Sequence, residues 1–217
     1  MIRLDMKQGT PEWIDARLGI PTASAFGRII SVKTQKLLAG SETYMNELLA
    51  EWLIGESNDD AVSAFMERGR QMEIDAVSFY EALRDVDTQE VGFCLSDDKR
   101  CGASPDRLIG DDGGLEIKCL SATNHIAAMR ANSRPTAQNK YYPQIQGALW
   151  ITGRDWWDFM SYHPTMESVV VRYNRDEIFI KKLDDLVNGF CDRLELERRN
   201  FVSAGHDPAI DRQLAVL

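Results

Sequence analysis

Ser104-Pro105-Asp106 is followed, after nine residues, by Glu116-Ile117-Lys118. Turn-forming residues, Asp111-Asp112-Gly113-Gly114, lie between them, so the two pieces read as neighbouring strands of a hairpin. A turn near Asp111 sets Asp106 roughly opposite Glu116, and the two-residue period of a strand puts Lys118 on the face of Glu116. Leu115, Ile117 and Cys119 then point the other way, into apolar packing. Two hard carboxylates suit Mg²⁺, which stabilises charge on a phosphate oxygen and lowers the pKa of a bound water. Lys118 can orient or deprotonate that water, or stabilise the developing charge, and the sequence does not choose between these. The same three residues can also be a cross-strand salt bridge on a surface hairpin.

The elements around the hairpin can be read from periodicity. Gly9 to Trp13 forms a turn entering a helix, with Thr10 as N-cap and Pro11 at the first helical position. Helices are predicted over 41–55 and 63–84, short strands over 90–95, 101–109 and 114–120, and helices over 123–131 and 137–151. Strands over 155–162 and 168–173 and a charged helix over 176–203 complete the chain. The predicted fold class is α/β: a central mixed sheet flanked by helices, in one domain covering residues 1–217.

Composition narrows the class. A net charge of -9 argues against indiscriminate coating of nucleic acid, yet is compatible with a basic channel and an acidic exterior. Cys94, Cys101, Cys119 and Cys191 have no C-x-x-C spacing, which speaks against a zinc knuckle, a disulfide framework or an iron-sulfur cluster. His125, His163 and His206 are dispersed and read as structural or exposed. No apolar run approaches the roughly 18 residues of a membrane span, and a cytoplasmic protein without membrane contact is expected.

Several blocks, in order, resemble lambda exonuclease and related YqaJ-like phage alkaline exonucleases of the PD-(D/E)-x-K nuclease superfamily. Arg17-Leu18-Gly19 leading to Thr22-Ala23-Ser24 is similar to that family's N-terminal block, and Glu67 to Glu73 to its helical G-x-x-x-E segment. Cys101 to Asp106 resembles its A-C-S-P-D strand, and Tyr142-Pro143-Gln144-Ile145-Gln146 its Q-x-Q helix. The likeness spans residues 17 to about 152. Arg107 stands where the family often has glycine, so the local strand conformation can differ. The Q-x-x-x-Y pattern of RecB-like nucleases is missing, with Ala148 and Trp150 at its last position, which favours the phage branch.

The resemblance implies the PD-(D/E)-x-K fold, with Asp106 and Glu116 as metal ligands and the Ile117 carbonyl as a third oxygen. Lys118 takes the catalytic lysine position, Gln144 lies beside the active site, and Glu73 lies near a second metal or its waters. Arg17, Ser24 and Ser104 match a pocket for a 5′-phosphate, a role suited to a guanidinium fork and two hydroxyls. The implied activity is 5′ to 3′ degradation of one strand of linear double-stranded DNA bearing 5′-phosphorylated ends, giving mononucleotides and a 3′ single-stranded tail. Two Mg²⁺ ions are implied, with Mn²⁺ able to substitute, as are a homotrimer and a single-strand annealing protein as recombination partner. The rival readings are an endonuclease or junction resolvase on the same core and a non-catalytic DNA-binding module. Each outlying residue also has a plainer role: Glu73 pairing with Arg70, Arg17 with Asp15 or Glu12, Ser24 capping a helix from Ala25, and Gln144 as a satisfied buried amide.

Overall fold

The computed structural model describes residues 1–57, 64–131 and 140–209, those of 64–71 by their backbone alone. Thr10 caps α1 (Pro11–Arg17) through its side-chain oxygen, which accepts from the Trp13 N–H, and Pro11 opens the helix, as the sequence predicts. A 3₁₀ helix, Ala23–Arg28, follows. Helix α2 (Ser41–Ile54) ends at Gly55 in the left-handed region, and α3 covers Ala64–Arg84, so the predicted start at Ser63 lies outside the described residues.

Two sheets form the middle. β1 (Ile2–Leu4), β3 (Phe93–Leu95) and β4 (Gly102–Ala103) make a three-stranded sheet. β2 (Thr88–Gln89), β5 (Arg107–Ile109), β6 (Gly113–Cys119), β7 (Trp156–Tyr162) and β8 (Val169–Asn174) make a five-stranded one in the order β2-β5-β6-β7-β8. β6 and β7 run parallel and the other neighbours antiparallel, which is the expected mixed sheet. The predicted single strand over 101–109 is instead two short strands in different sheets. Pro105 lies between them; it has no N–H to extend a ladder, and the chain changes sheets across Ser104-Pro105-Asp106. β1 and the separation of β2 from β3 also escape the periodic pattern, because strands of two or three residues contain too few alternations to register.

Helices cover both faces of the larger sheet. Ala76, Val77 and Tyr80 of α3 bury against Ile109, Leu115, Ile117 and Met160 on one face. On the other face, Leu108, Trp157 and Phe159 join the main core with α5 (Tyr142–Thr152), α2 and α6 (Glu177–Ser203). The described part of the expected helix over 137–151 begins later, at Tyr142; α4 (Ala122–Arg130) agrees with its expectation. Gly147 lets α5 lie close on the 3₁₀ helix, since a Cβ there would come within 2.5 Å of the Phe26 ring. This packing places the 3₁₀ helix and its Ser24 over the sheet face that carries Glu116.

Candidate active site

The hairpin between β5 and β6 sets the register of the site. Arg107 pairs with Leu115, so one step further Asp106 stands opposite Glu116. An Asp106 oxygen (Oδ2) accepts from the Ile117 N–H at 2.5 Å, fixing its carboxylate against β6 just before β5 begins. Leu115, Ile117 and Cys119 face α3 and its apolar cluster, leaving Glu116 and Lys118 on the face covered by α5. The alternation expected from the sequence is thus present.

Glu116 is 3% exposed and is approached by two donors on one oxygen: Lys118 Nζ at 2.5 Å and Gln144 Nε2 at 2.6 Å. Gln144 therefore reaches the candidate centre. The satisfied buried amide is its neighbour two residues on, Gln146, which donates to the Asn174 carbonyl and accepts from the Asp176 N–H. Tyr141, at the start of α5, stacks on Phe159 with ring centroids 5.1 Å apart, and its ring lies 5.6 Å from Lys118 Nζ.

The electrostatics are unbalanced toward acid. Burial pushes the Asp106 carboxyl well above its ordinary value, and the Glu116 charge pushes it further; Lys118 and the Ile117 N–H act against this. Glu73, on α3, is also raised, first by burial and then by Glu116, while Arg107 and Lys118 pull it down. Burial alone would lower Lys118, but Glu116 and Asp106 outweigh it and hold the ammonium firmly charged. Such a site favours an added cation, and its carboxylates offer the hard oxygens that Mg²⁺ or Mn²⁺ takes. Among the described residues, no three His, Cys, Asp or Glu side chains converge as a ready metal cluster, so Glu73 stands near Asp106 and Glu116 without joining them in one ligand set.

A cleft of about 460 Å³ runs from this centre to the N-terminal segment, and its lining includes Asp106, Glu116, Lys118, Gln144, Arg17, Ser24 and Ser104. Gly19 makes the Arg17 end possible: its φ of +63° turns the chain directly after Arg17-Leu18. Its N–H donates to Glu51 and its carbonyl accepts from Arg198. The Arg17 guanidinium lies over the Trp13 ring, 3.9 Å from its centroid, and reaches Ser104 Oγ at 3.5 Å. Ser24 bonds with the Thr22 hydroxyl at 3.1 Å; Thr22 is the residue preceding the 3₁₀ helix, so the alternative reading of Ser24 as N-cap is corrected. Thus Arg17, Ser24 and Ser104, distant in sequence, all line the cleft, the first and last in contact.

Other residues weighed in the sequence fall outside this centre. His125 is fully buried, bonded to Ser161 Oγ at 2.7 Å and the Glu167 carbonyl at 2.9 Å, a structural role as expected. Arg70, the alternative partner for Glu73, has a side chain outside the described residues. The sequence reading missed Arg28 and Glu47, which also line the cleft and form a two-pronged ion pair at 2.5 and 2.7 Å. They lie on separate elements, and no spacing pattern links them.

A mixed sheet with helices on both faces, carrying Asp106 and the Glu116-Ile117-Lys118 strand side by side, defines the PD-(D/E)-x-K nuclease fold. Residues 12–155 match the YqaJ-like viral recombinase domain, and the chain belongs to that family, the lambda-exonuclease group. The structure superposes on an alkaline exonuclease from Laribacter hongkongensis with a TM-score of 0.80 and 31% identity, over 90% of this chain and 98% of that one. The same enzyme in complex with dAMP gives 0.79 and 33% over the same shares. A phage-related exonuclease from Haemophilus somnus 129PT shares the fold, with a TM-score of 0.62 at 16% identity over 82% of this chain and 96% of that one. A stretch of 61 residues is 28% identical to the ExoD protein of Escherichia coli strain K12, covering 27% of this chain and 70% of that protein. The family supports a nuclease role in recombination, and no helix among the described residues is long and apolar enough to cross a membrane.

Proposed function

We propose that the chain is a Mg²⁺-dependent 5′ to 3′ exodeoxyribonuclease that degrades one strand of linear double-stranded DNA to mononucleotides, leaving a 3′ single-stranded tail. The observation that carries this reading is a cleft lined by Asp106, Glu116 and Lys118 together with Arg17, Ser24 and Ser104. A terminal phosphate held at the far wall leaves the next phosphodiester near the carboxylates, which suits removal of one nucleotide at a time. The alkaline exonuclease relative bound to dAMP supports the same product class.

In this reading Asp106, Glu116 and the Ile117 carbonyl hold Mg²⁺, with Glu73 beside a second ion, and Mn²⁺ can take their place. The ions supply an activated water and charge stabilisation at the phosphate and the leaving 3′-oxygen. Gln144 fixes the Glu116 carboxylate through its amide. Lys118, within contact of Glu116, places its amine where negative charge grows on the phosphate and where a water is activated. Trp13 holds the Arg17 guanidinium by its ring face at the cleft, where a guanidinium suits a 5′-phosphate. A homotrimer, a cytoplasmic site of action and cooperation with a single-strand annealing protein complete the proposal on the strength of the family alone.

The test compares linear duplexes bearing a 5′-phosphate or a 5′-hydroxyl with covalently closed circles. Mononucleotide release is expected from the phosphorylated 5′ ends, with circles intact, and the end preference is expected to vanish in Arg17→Ala. Cutting of circles overturns the proposal in favour of an endonuclease, and equal release from both kinds of end overturns the 5′-phosphate pocket.

A further inference from the structure

Helix α1 ends at Arg17 and has no buried residue, so packing alone holds its last turn weakly. The chain leaves it through a tight turn. Leu18 has a φ of -52° and a ψ of 127°, Gly19 has a φ of +63°, and the Ile20 N–H donates to the Arg17 carbonyl at 3.0 Å. These angles define a type II β-turn, with Gly19 at the position that requires a positive φ. A type I turn closes the same hydrogen bond with its central peptide turned over, so the bond between Arg17 and Ile20 does not choose between the two forms.

Two side chains from other elements do choose. Glu51 of α2 accepts from the Gly19 N–H at 2.8 Å, and that N–H belongs to the peptide that a flip would reverse. Arg198 of α6 donates through Nη2 to the Gly19 carbonyl at 2.5 Å, with its guanidinium 5.6 Å from the Trp52 ring centroid. Each bond has one charged partner, which makes it stronger than a neutral one. Arg17 stands at the first position of this turn, its guanidinium over Trp13 and 3.5 Å from Ser104 Oγ. Glu51 lines the cleft as well, whereas Arg198 lines no part of it. A carboxylate beside a phosphate pocket repels the ligand by charge, so its presence there calls for another reason, and the Gly19 N–H supplies one.

We propose that Glu51 and Arg198 are positioning residues for Arg17: from α2 and α6 they hold the Arg17–Ile20 turn in its type II form and so keep the guanidinium where a terminal 5′-phosphate is met. This rests on the phosphate pocket given under Proposed function and adds the residues that set its geometry. Recognition of the end then depends on a residue 179 positions further along the chain than the turn it holds.

The experiment measures binding in EDTA of two short linear duplexes that differ only in a 5′-phosphate or a 5′-hydroxyl. Loss of folded protein weakens both alike, so the ratio of the two affinities reports on the pocket. The natural chain is expected to prefer the phosphorylated duplex by about tenfold or more, and Glu51→Met and Arg198→Met to reduce that preference to about threefold or less. Glu51→Gln, which keeps an acceptor for the Gly19 N–H, is expected to retain it. Should Arg198→Met not fold, Glu51→Met tests the same turn from its other side. By charge alone, Glu51→Met would strengthen phosphate binding, so a preference that rises or stays in that variant overturns the proposal. A preference lost equally in Glu51→Gln and Glu51→Met overturns it too, because the charge and not the acceptor would then matter. No preference in the natural chain overturns the phosphate pocket itself, and this proposal with it.

Discussion

Adjacent strands of the larger sheet each carry a buried carboxylate, and the two are treated in opposite ways. Asp158 on β7 has no exposed surface; it takes both prongs of Arg172 at 2.7 and 2.9 Å and the Tyr80 hydroxyl at 2.7 Å, with Arg84 at 3.8 Å. Every oxygen is matched, and the group lines no part of the cleft. On β6, Glu116 is almost as deeply buried but shares its neighbourhood with Asp106 and Glu73, so like charges crowd one another. Burying a charge costs several kcal/mol, and a fold evolved only for stability would balance it as it does at Asp158. The unbalanced cluster is the one beside a cleft, and the deficit is for a cation.

The largest effect that separates the two clusters is on stability. Asp158→Ala leaves Arg172 and Tyr80 without their partner and is expected to cost about 3–5 kcal/mol in chemical denaturation, with the fraction that remains folded still active. Next come the two glutamines of α5. Gln146→Ala is expected to cost about 1–3 kcal/mol, since it orphans the Asn174 carbonyl and the Asp176 N–H. Gln144→Ala is expected to leave stability nearly unchanged and to lower turnover by roughly tenfold, because Glu116 loses its positioning donor. Equal effects of the two substitutions would erase the distinction between a structural and a catalytic amide. Smaller still, Asp106→Asn removes a crowding charge and is expected to stabilise the protein in EDTA by on the order of 1 kcal/mol while abolishing turnover. Destabilisation there would mean that the cluster is balanced after all.

A further effect concerns pH, and it arises at residues that do not line the cleft. Burial pushes the thiols of Cys101 and Cys191 up to about 12, and that of Cys94 to about 11, against an ordinary value of 9.0. Between those values the unfolded chain releases protons that the folded chain keeps. Stability is therefore full below pH 9 and falls as pH rises toward the folded values, by about 1.4 kcal/mol per unit for each thiol. Melting curves in EDTA from pH 8 to 10 are expected to show this decline, with a shallower slope in Cys101→Ala. An equal slope would place the alkaline limit elsewhere.

Much of this arrangement was legible in the sequence. Strand alternation in Glu116-Ile117-Lys118 gave the face of each residue, and long helices such as α3 and α6 have enough turns to show their period. The pairing of Asp106 with Glu116 followed from the turn residues between them. What escaped was the division of the 101–109 segment between two sheets, because two- and three-residue strands carry no period and the effect of Pro105 depends on which partner strands are at hand. Arg107 was noted only as a departure from a glycine. Its closeness to Glu90 joins two segments that no local spacing links. Likewise Arg28 and Glu47 meet only because the 3₁₀ helix packs near α2.

The most direct test of the central claim is nucleotide release from linear double-stranded DNA with 5′-phosphorylated ends, comparing the natural chain with Lys118→Ala in Mg²⁺ and in EDTA. Release by the natural chain in Mg²⁺ only is expected, with a loss of about a thousandfold or more in the variant, which remains folded. Release that persists in EDTA, or a variant as active as the natural chain, would contradict it.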